Sequence, residues 1–250
     1  MSQIVWLIGA SNGIGLELAK RYLHEKDRVI VSARSASVSS SLLSLKELYK
    51  NNLHLVDMDV SNTKSVIEKT QDVWNVYGGV DLCVYNAGLY ESMNIKQWNL
   101  EHFEAMMQVN YMGALRVLTE LIPLFEEQKK GHIAFNISIS SYFGLPYGGG
   151  YSAPKAALLN FCESIQPELE MKNIKLQVIN HGFVKTRLTA KNDFEMPQLL
   201  EPEVAAYKIY EGLTHSNAFE IKFPWALTRF LHFLRIIPYK LALTLTKKAL

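Results

Sequence analysis

Three residues have the types and spacing for acid–base chemistry: Tyr151, Lys155 and, one short loop upstream, Ser138. A free tyrosine, with a pKa of about 10, is a poor acid near neutrality. In Tyr151-Ser152-Ala153-Pro154-Lys155 the lysine lies four residues on, so on a helix it shares the tyrosine's face one turn later. Its positive charge favours the phenolate and draws the phenol toward the working range of an acid–base catalyst. Ser138 closes the strand before this loop, where its hydroxyl can bond the same substrate oxygen. Tyr-x-x-x-Lys alone is a weak signal, because the pair occurs on many exposed helices. Its meaning depends on the elements that carry it.

Those elements alternate between short β-branched runs and longer helical patterns, the signature of a parallel sheet covered on both faces. The expected strands are Ile4–Ile8, Arg28–Ser32, Leu53–Val56, Asp81–Tyr85, His132–Ile137 and Lys175–Ile179. Helical periodicity spans Ile14–His24, Val66–Tyr77, Glu101–Leu124 and Tyr151–Met171, with Pro167 expected to bend the last turn of the last helix. No repeat or linker divides residues 1–250, so a single α/β domain is expected, with 221–250 as a basic amphipathic extension.

The first strand runs into Gly9-Ala10-Ser11-Asn12-Gly13-Ile14-Gly15, which opens the first helix. Glycines let the backbone turn tightly and approach a ligand, and a helix N-terminus suits a pyrophosphate. The G-x-x-x-G-x-G spacing differs from the common G-x-G-x-x-G. A plain strand-to-helix turn is the alternative use. Taken together, this turn, Asn86-Ala87-Gly88 after the fourth strand, Asn110, Ser138, Tyr151 and Lys155 resemble the short-chain dehydrogenase/reductase family over about residues 1–190. The resemblance implies a Rossmann-like, doubly wound parallel sheet of about seven strands with helices on both faces. A nicotinamide dinucleotide would lie across the carboxyl ends of the strands.

The resemblance also implies roles for individual residues. Tyr151 is the proton donor and acceptor, and Ser138 orients the substrate oxygen. Lys155 holds the nicotinamide ribose, and Asn110 holds a water that links the lysine to solvent. Ser140 and Ser141 lie close by, but counting back from Tyr151 and forward from Gly131 puts Ser138 in the family's serine position. Gly9, Ser11, Asn12, Gly13, Ile14 and Gly15 form the phosphate turn, and Asn86, Ala87 and Gly88 pass beside the cofactor. Asp59 and Val60 fall where the family contacts adenine, although Asp59 also suits a turn before the next helix. Val184 and Thr186 match the family's carboxamide-binding Pro-Gly-x-Val-x-Thr, with His181 standing in place of the proline. After the second strand, Ala33 offers no carboxylate and Arg34, with Ser32 or Ser35, suits a 2′-phosphate. NADP(H) is therefore expected in preference to NAD(H). A solvated arginine on a serine-rich loop is the alternative.

A net charge of +2 gives no reason to expect a nucleic-acid partner, and seven scattered histidines with two cysteines give no metal spacing. No secretory signal is visible, so a cytoplasmic protein is expected. After Glu220 no acidic residue follows, while Lys222, Arg229, Arg235, Lys240, Lys247 and Lys248 punctuate an apolar segment. There Thr228, His232 and Arg235 form one helical face and Leu227, Phe230, Leu231 and Leu234 another. Beyond Pro238, Lys240, Thr244 and Lys247 begin a second polar face. Such a segment can lie on a membrane surface, or pack over the substrate pocket or a neighbouring subunit. An apolar lid over the pocket is expected from Phe194, Met196, Leu199 and Leu200. The expected activity is an oxidoreductase acting on a lipophilic carbonyl or secondary alcohol, with the homodimer or homotetramer usual in the family. The competing readings are a nucleotide-sensing protein without useful turnover, and a lyase or epimerase on the same fold.

Overall fold

The computed structural model describes residues 2–247. Seven parallel strands form one sheet: β1 Ile4–Ile8, β2 Arg28–Ala33, β3 Leu53–Asp57, β4 Leu82–Tyr85, β5 Gly131–Asn136, β6 Ile174–His181 and β7 Glu220–Phe223. Their order is β3-β2-β1-β4-β5-β6-β7. The helices are α1 Gly13–His24, α2 Ser40–Tyr49, α3 Thr63–Tyr77, α4 Leu100–Met107, α5 Gly113–Gln128, α6 Gly149–Met171, α7 Pro202–His215, α8 Trp225–Ile236 and α9 Tyr239–Lys247. Strands covered on both faces read as continuous apolar runs, and all five residues of β1 are buried. Alternate side chains of β1 enter different cores. Val5 and Leu7 pack with α1, α2 and α7, while Trp6 and Ile8 face α3, α5 and α6. Burying each such side chain contributes about 1.5–3 kcal/mol, so the sheet is a stiff base for the loops at its carboxyl ends.

Several boundaries differ from the sequence expectation for physical reasons. The single helix expected over 101–124 is two helices, α4 and α5, joined by a π-helical turn at Gln108–Met112. Where α5 begins, Gly113 packs so tightly that a Cβ would lie 2.3 Å from the Tyr85 hydroxyl. The serine-rich stretch Ser35–Ser41, offered as a polar loop, runs at Ser40 into α2, which is held by buried Leu42 and Leu45. Pro202 opens α7, where its missing N–H is harmless, and Ala205, Ala206, Ile209 and Leu213 bury its inner face. α6 runs through Pro167 to Met171.

The C-terminal segment also departs from expectation. Residues 221–223 belong to β7 in the sheet rather than to an appended tail. On α8 two of the three residues of the expected polar face, Thr228 and His232, turn inward, while Arg235 stays exposed. Thr228 is buried with Oγ1 donating to Pro224 O (2.8 Å), and His232 stacks on Tyr142 at 4.0 Å. Phe230, expected on the apolar face with Leu231 and Leu234, is exposed, as are Trp225, Phe233 and Ile236. Lys240, Thr244 and Lys247 are exposed as expected, and Lys248 lies outside the described residues.

Candidate active site

In an open α/β sheet, ligands bind beyond the carboxyl ends of the strands where the strand order reverses. Here that point lies between β1 and β4, and a cleft of about 820 Å³ opens there. Every residue expected at the cofactor borders this cleft except Gly15. Of the expected catalytic residues, Ser138, Tyr151 and Lys155 border it and Asn110 does not. Gly15 instead lets α1 pack closely, since a Cβ there would lie 2.6 Å from the Ala10 Cα.

The turn after β1 depends on glycine. Gly9 has φ +81°, and a Cβ would lie 2.5 Å from the Ala87 Cα. Gly13 has φ +55° and lies against Thr186. Asn12 is the N-cap of α1, yet its side chain makes no capping bond; its Nδ2 donates to Ser11 Oγ at 3.2 Å. The first-turn amides of α1 therefore have no side-chain acceptor, while Asn12, Gly13 and Ile14 line the cleft. Uncapped amides at a helix N-terminus fit an anionic phosphate group.

Beside this turn, Arg34 and Ser35 are exposed at the cleft edge. Ser32 is fully buried and its Oγ accepts the Trp6 indole N–H at 2.8 Å, which removes it from the expected phosphate contact. Asp59 performs the turn use: Oδ1 accepts from Ser61 N at 2.9 Å and Ser61 Oγ at 2.7 Å. Asp59 and Val60 nevertheless border the cleft.

A chain of amides joins the glycine turn to the lysine. Asn86 Nδ2 donates to Gly9 O at 2.7 Å, and Asn136 Nδ2 donates to Asn86 Oδ1 at 2.6 Å. Lys155 Nζ then donates to Asn136 O at 2.8 Å. Lys155 is 3% exposed, and burial draws its ammonium down to about 7. Burial pushes the Tyr151 phenol up to about 12, with a hydrogen bond to Ser138 acting in the opposite direction. The expected pull of Lys155 on Tyr151 is thus not the dominant effect in the protein alone. The ammonium stands 5.7 Å from the Tyr151 ring centroid, on the same side of α6. Ser138 Oγ accepts from Ser140 N at 3.2 Å and Ser140 Oγ at 3.1 Å. That arrangement leaves the Ser138 hydrogen available for another oxygen.

Asn110 occupies the π-helical turn and is fully buried. Its Oδ1 accepts from Leu89 N and its Nδ2 donates to Leu89 O, both at 2.8 Å. It clamps the irregular segment that follows the Asn86-Ala87-Gly88 turn.

Several site residues were not apparent from sequence. Asn136 appears only as the polar end of an apolar strand. Asn180 is fully buried beneath Ser138. Its Oδ1 accepts from Ser138 N at 3.2 Å and Ser141 Oγ at 3.4 Å, and its Nδ2 donates to Glu220 Oε1 at 2.7 Å. Glu220 also accepts from Tyr142 and, through Oε2, from Lys222 at 2.7 Å. Tyr90 meets Tyr151 edge-on at 5.1 Å and donates to Asn192 Oδ1 at 2.7 Å. No local pattern announces the Asn180–Glu220 and Tyr90–Asn192 pairs, which join residues 40 and 102 positions apart.

The other end of the cleft is apolar, lined by Leu145, Phe183, Leu188, Phe194, Leu227 and Leu231. Of the four expected lid residues only Phe194 borders it. Met196 Sδ accepts from Asn192 Nδ2, Leu199 points to solvent, and Leu200 N donates to Phe183 O at 3.0 Å. His181 borders the cleft, and burial draws its pKa down to about 4, so the ring is neutral. Its Nδ1 lies 2.7 Å from Gly182 O, an acceptor only, so Nδ1 carries the hydrogen and Nε2 is left as an acceptor. Val184 pairs with Leu200 in a β-bridge, and Thr189 Oγ1 bonds Val184 O (2.6 Å) and Thr186 N (2.9 Å). Val184 and Thr186 are thereby fixed beside the glycine turn.

Known proteins share this fold. A family model described as short chain dehydrogenase matches residues 3–196. A Myxococcus xanthus protein named "Uncharacterized oxidoreductase" is 31% identical over 92% of this chain and 90% of its own length. A short-chain dehydrogenase structure from Streptomyces avermitilis superposes with a TM-score of 0.84 at 22% identity, covering 100% of this chain and 98% of that one. An alcohol dehydrogenase from Thermococcus sibiricus, complexed with 5-hydroxy-NADP, gives a TM-score of 0.80 at 24% identity, covering 89% and 96%.

Proposed function

The chain belongs to the short chain dehydrogenase family of oxidoreductases, and from that premise we propose that it interconverts a carbonyl compound and a secondary alcohol with a nicotinamide dinucleotide. When bound, that cofactor supplies or accepts the hydride. The chain's own residues bind, orient and move protons. In the reductive direction Tyr151 gives its phenolic proton to the oxygen that gains negative charge, and the Ser138 hydroxyl turns its hydrogen to the same oxygen. A buried Lys155 with a pKa near 7 can lose or gain a proton at working pH, so it can restore the Tyr151 proton. A water held by Asn110 is the proposed link from the lysine to solvent. Asn180 and Ser140 hold Ser138 in place from both sides of its backbone and hydroxyl. The observation that carries this reading is the convergence of Ser138, Tyr151 and Lys155 on the cleft that contains the uncapped glycine turn.

We further propose NADP(H) as the preferred cofactor and NAD(H) as the poorer one. Arg34 and Ser35 stand exposed at the cleft edge with no carboxylate at position 33, and the Thermococcus sibiricus relative was crystallised with an NADP derivative. Gly9 and the α1 amides would hold the pyrophosphate, Asp59 and Val60 the adenine side, and Val184 with Thr186 the carboxamide. The apolar end of the cleft suits a lipophilic substrate. A cytoplasmic homodimer or homotetramer completes the proposal. The test is a panel of carbonyls and alcohols followed at the nicotinamide absorbance with both cofactors. Substrate-dependent NADPH consumption, fastest with lipophilic ketones, is expected. Tight NADPH binding with no consumption across the panel would favour a nucleotide sensor.

A further inference from the structure

We infer that the outer face of α8 and α9 docks on an anionic lipid bilayer. Ile236 is 83% exposed, Tyr239 77%, Trp225 71% and Phe233 51%. On α8, Trp225, Phe233 and Ile236 project from one side, while Leu231 and Leu234 pack into the core from the other. Helix α9 adds exposed Leu241 and Leu243. An apolar surface of aromatic and branched side chains in water marks an interaction site.

Charge selects the partner. Arg229, set over the Trp225 ring at 4.7 Å, together with Arg235, Lys240 and Lys247, is exposed among these apolar groups. No acidic side chain follows Glu220, and Glu220 is already engaged by Lys222, Tyr142 and Asn180. A twofold contact with a second copy presents the same patch on both sides, so it would set these cations against their own equivalents with no carboxylate between them. A bilayer containing anionic lipid supplies both missing partners, an apolar layer and negative charge. Tryptophan and tyrosine also favour the headgroup level. No helix among the described residues is long and apolar enough to cross a membrane, so contact is at the surface. The same α8 turns Leu227 and Leu231 into the cleft, which places the apolar end of the cleft beside the docked lipid.

The test uses the full chain with vesicles of phosphatidylcholine alone or with phosphatidylglycerol as a minor component. Co-sedimentation with the anionic vesicles, weakened by salt, is expected. R229Q with K240Q should weaken it about 25-fold, at about fivefold per cation. F233S with I236S should weaken it about tenfold or more. As an independent reading on a conservative variant, brominated acyl chains should quench tryptophan fluorescence. W225F should abolish that quenching, and W98F, which alters an exposed tryptophan on another surface, should leave it. Absence of binding to anionic vesicles overturns the inference, as does quenching that survives in W225F. Sedimentation velocity supplies the remaining outcome: dissociation of an oligomer by F233S with I236S would show that a second copy covers this face.

Discussion

Replacing Lys155 with methionine keeps most of the side chain's shape and removes its proton. The native ammonium sits at about 7 against the usual 10.5 because burial disfavours its charge. At about 1.36 kcal/mol per pH unit, the gap is worth about 5 kcal/mol against the folded state when the group is protonated in both states. The methionine variant escapes that term but leaves Asn136 O without its 2.8 Å partner, a loss of about 1 kcal/mol. Below pH 7 the variant should therefore be about 4 kcal/mol more stable than the parent chain. Between pH 7 and 10.5 the unfolded parent chain binds a proton that the folded chain lacks, so parent stability rises with pH. The advantage of the variant should shrink by about 1.4 kcal/mol per pH unit and vanish near the top of that window. Urea unfolding of both proteins without cofactor, across this pH range, measures the difference. Stability curves that stay parallel with pH would show that Lys155 keeps its charge in the native protein, and the proton-relay role would lose its basis.

Two further predictions concern residues around this centre. Asn180→Ala removes the acceptor for Ser138 N and the donor to Glu220. It should lower kcat about tenfold or more while leaving the dissociation constant for dinucleotide, read by fluorescence, within about twofold. A matched loss in both would mean that Asn180 supports the cleft as a whole. Arg34→Ala should raise the KM for NADPH about tenfold to a hundredfold, the range of a charge-assisted bond, and leave that for NADH nearly unchanged. Equal effects on both cofactors would refute the 2′-phosphate contact.

The sheet was legible because its strands are covered on both faces. The expected strands Ile4–Ile8 and Asp81–Tyr85 carry unbroken apolar runs, and Ile4–Ile8 and Leu82–Tyr85 are buried throughout. The cleft was legible because a glycine turn and a Tyr-x-x-x-Lys pair are local patterns. Helical periodicity across Glu101–Leu124 could not reveal the π-helical turn, since the close approach of Gly113 to Tyr85 is tertiary. Leu42 and Leu45 hold α2, whose first residues end the serine-rich stretch Ser35–Ser41 that resembles a loop in composition. On α8, hydropathy separated a polar face with Thr228 from an apolar face with Phe230, Leu231 and Leu234. Burial cuts across that division: Thr228, bonded to Pro224 O, is buried with Leu231 and Leu234, while Phe230 is exposed. Asn180 and Glu220 stayed hidden because their 40-residue separation leaves no trace in spacing.

The central claim is that the Tyr151 phenol passes the proton. Tyr151→Phe removes one oxygen at a residue that lines the cleft beside Ser138 and Lys155. Single-turnover reduction of a responsive ketone should slow by about 100- to 10,000-fold, with NADPH affinity retained within about twofold. Undiminished turnover in that variant, with the same cofactor bound, would contradict the account.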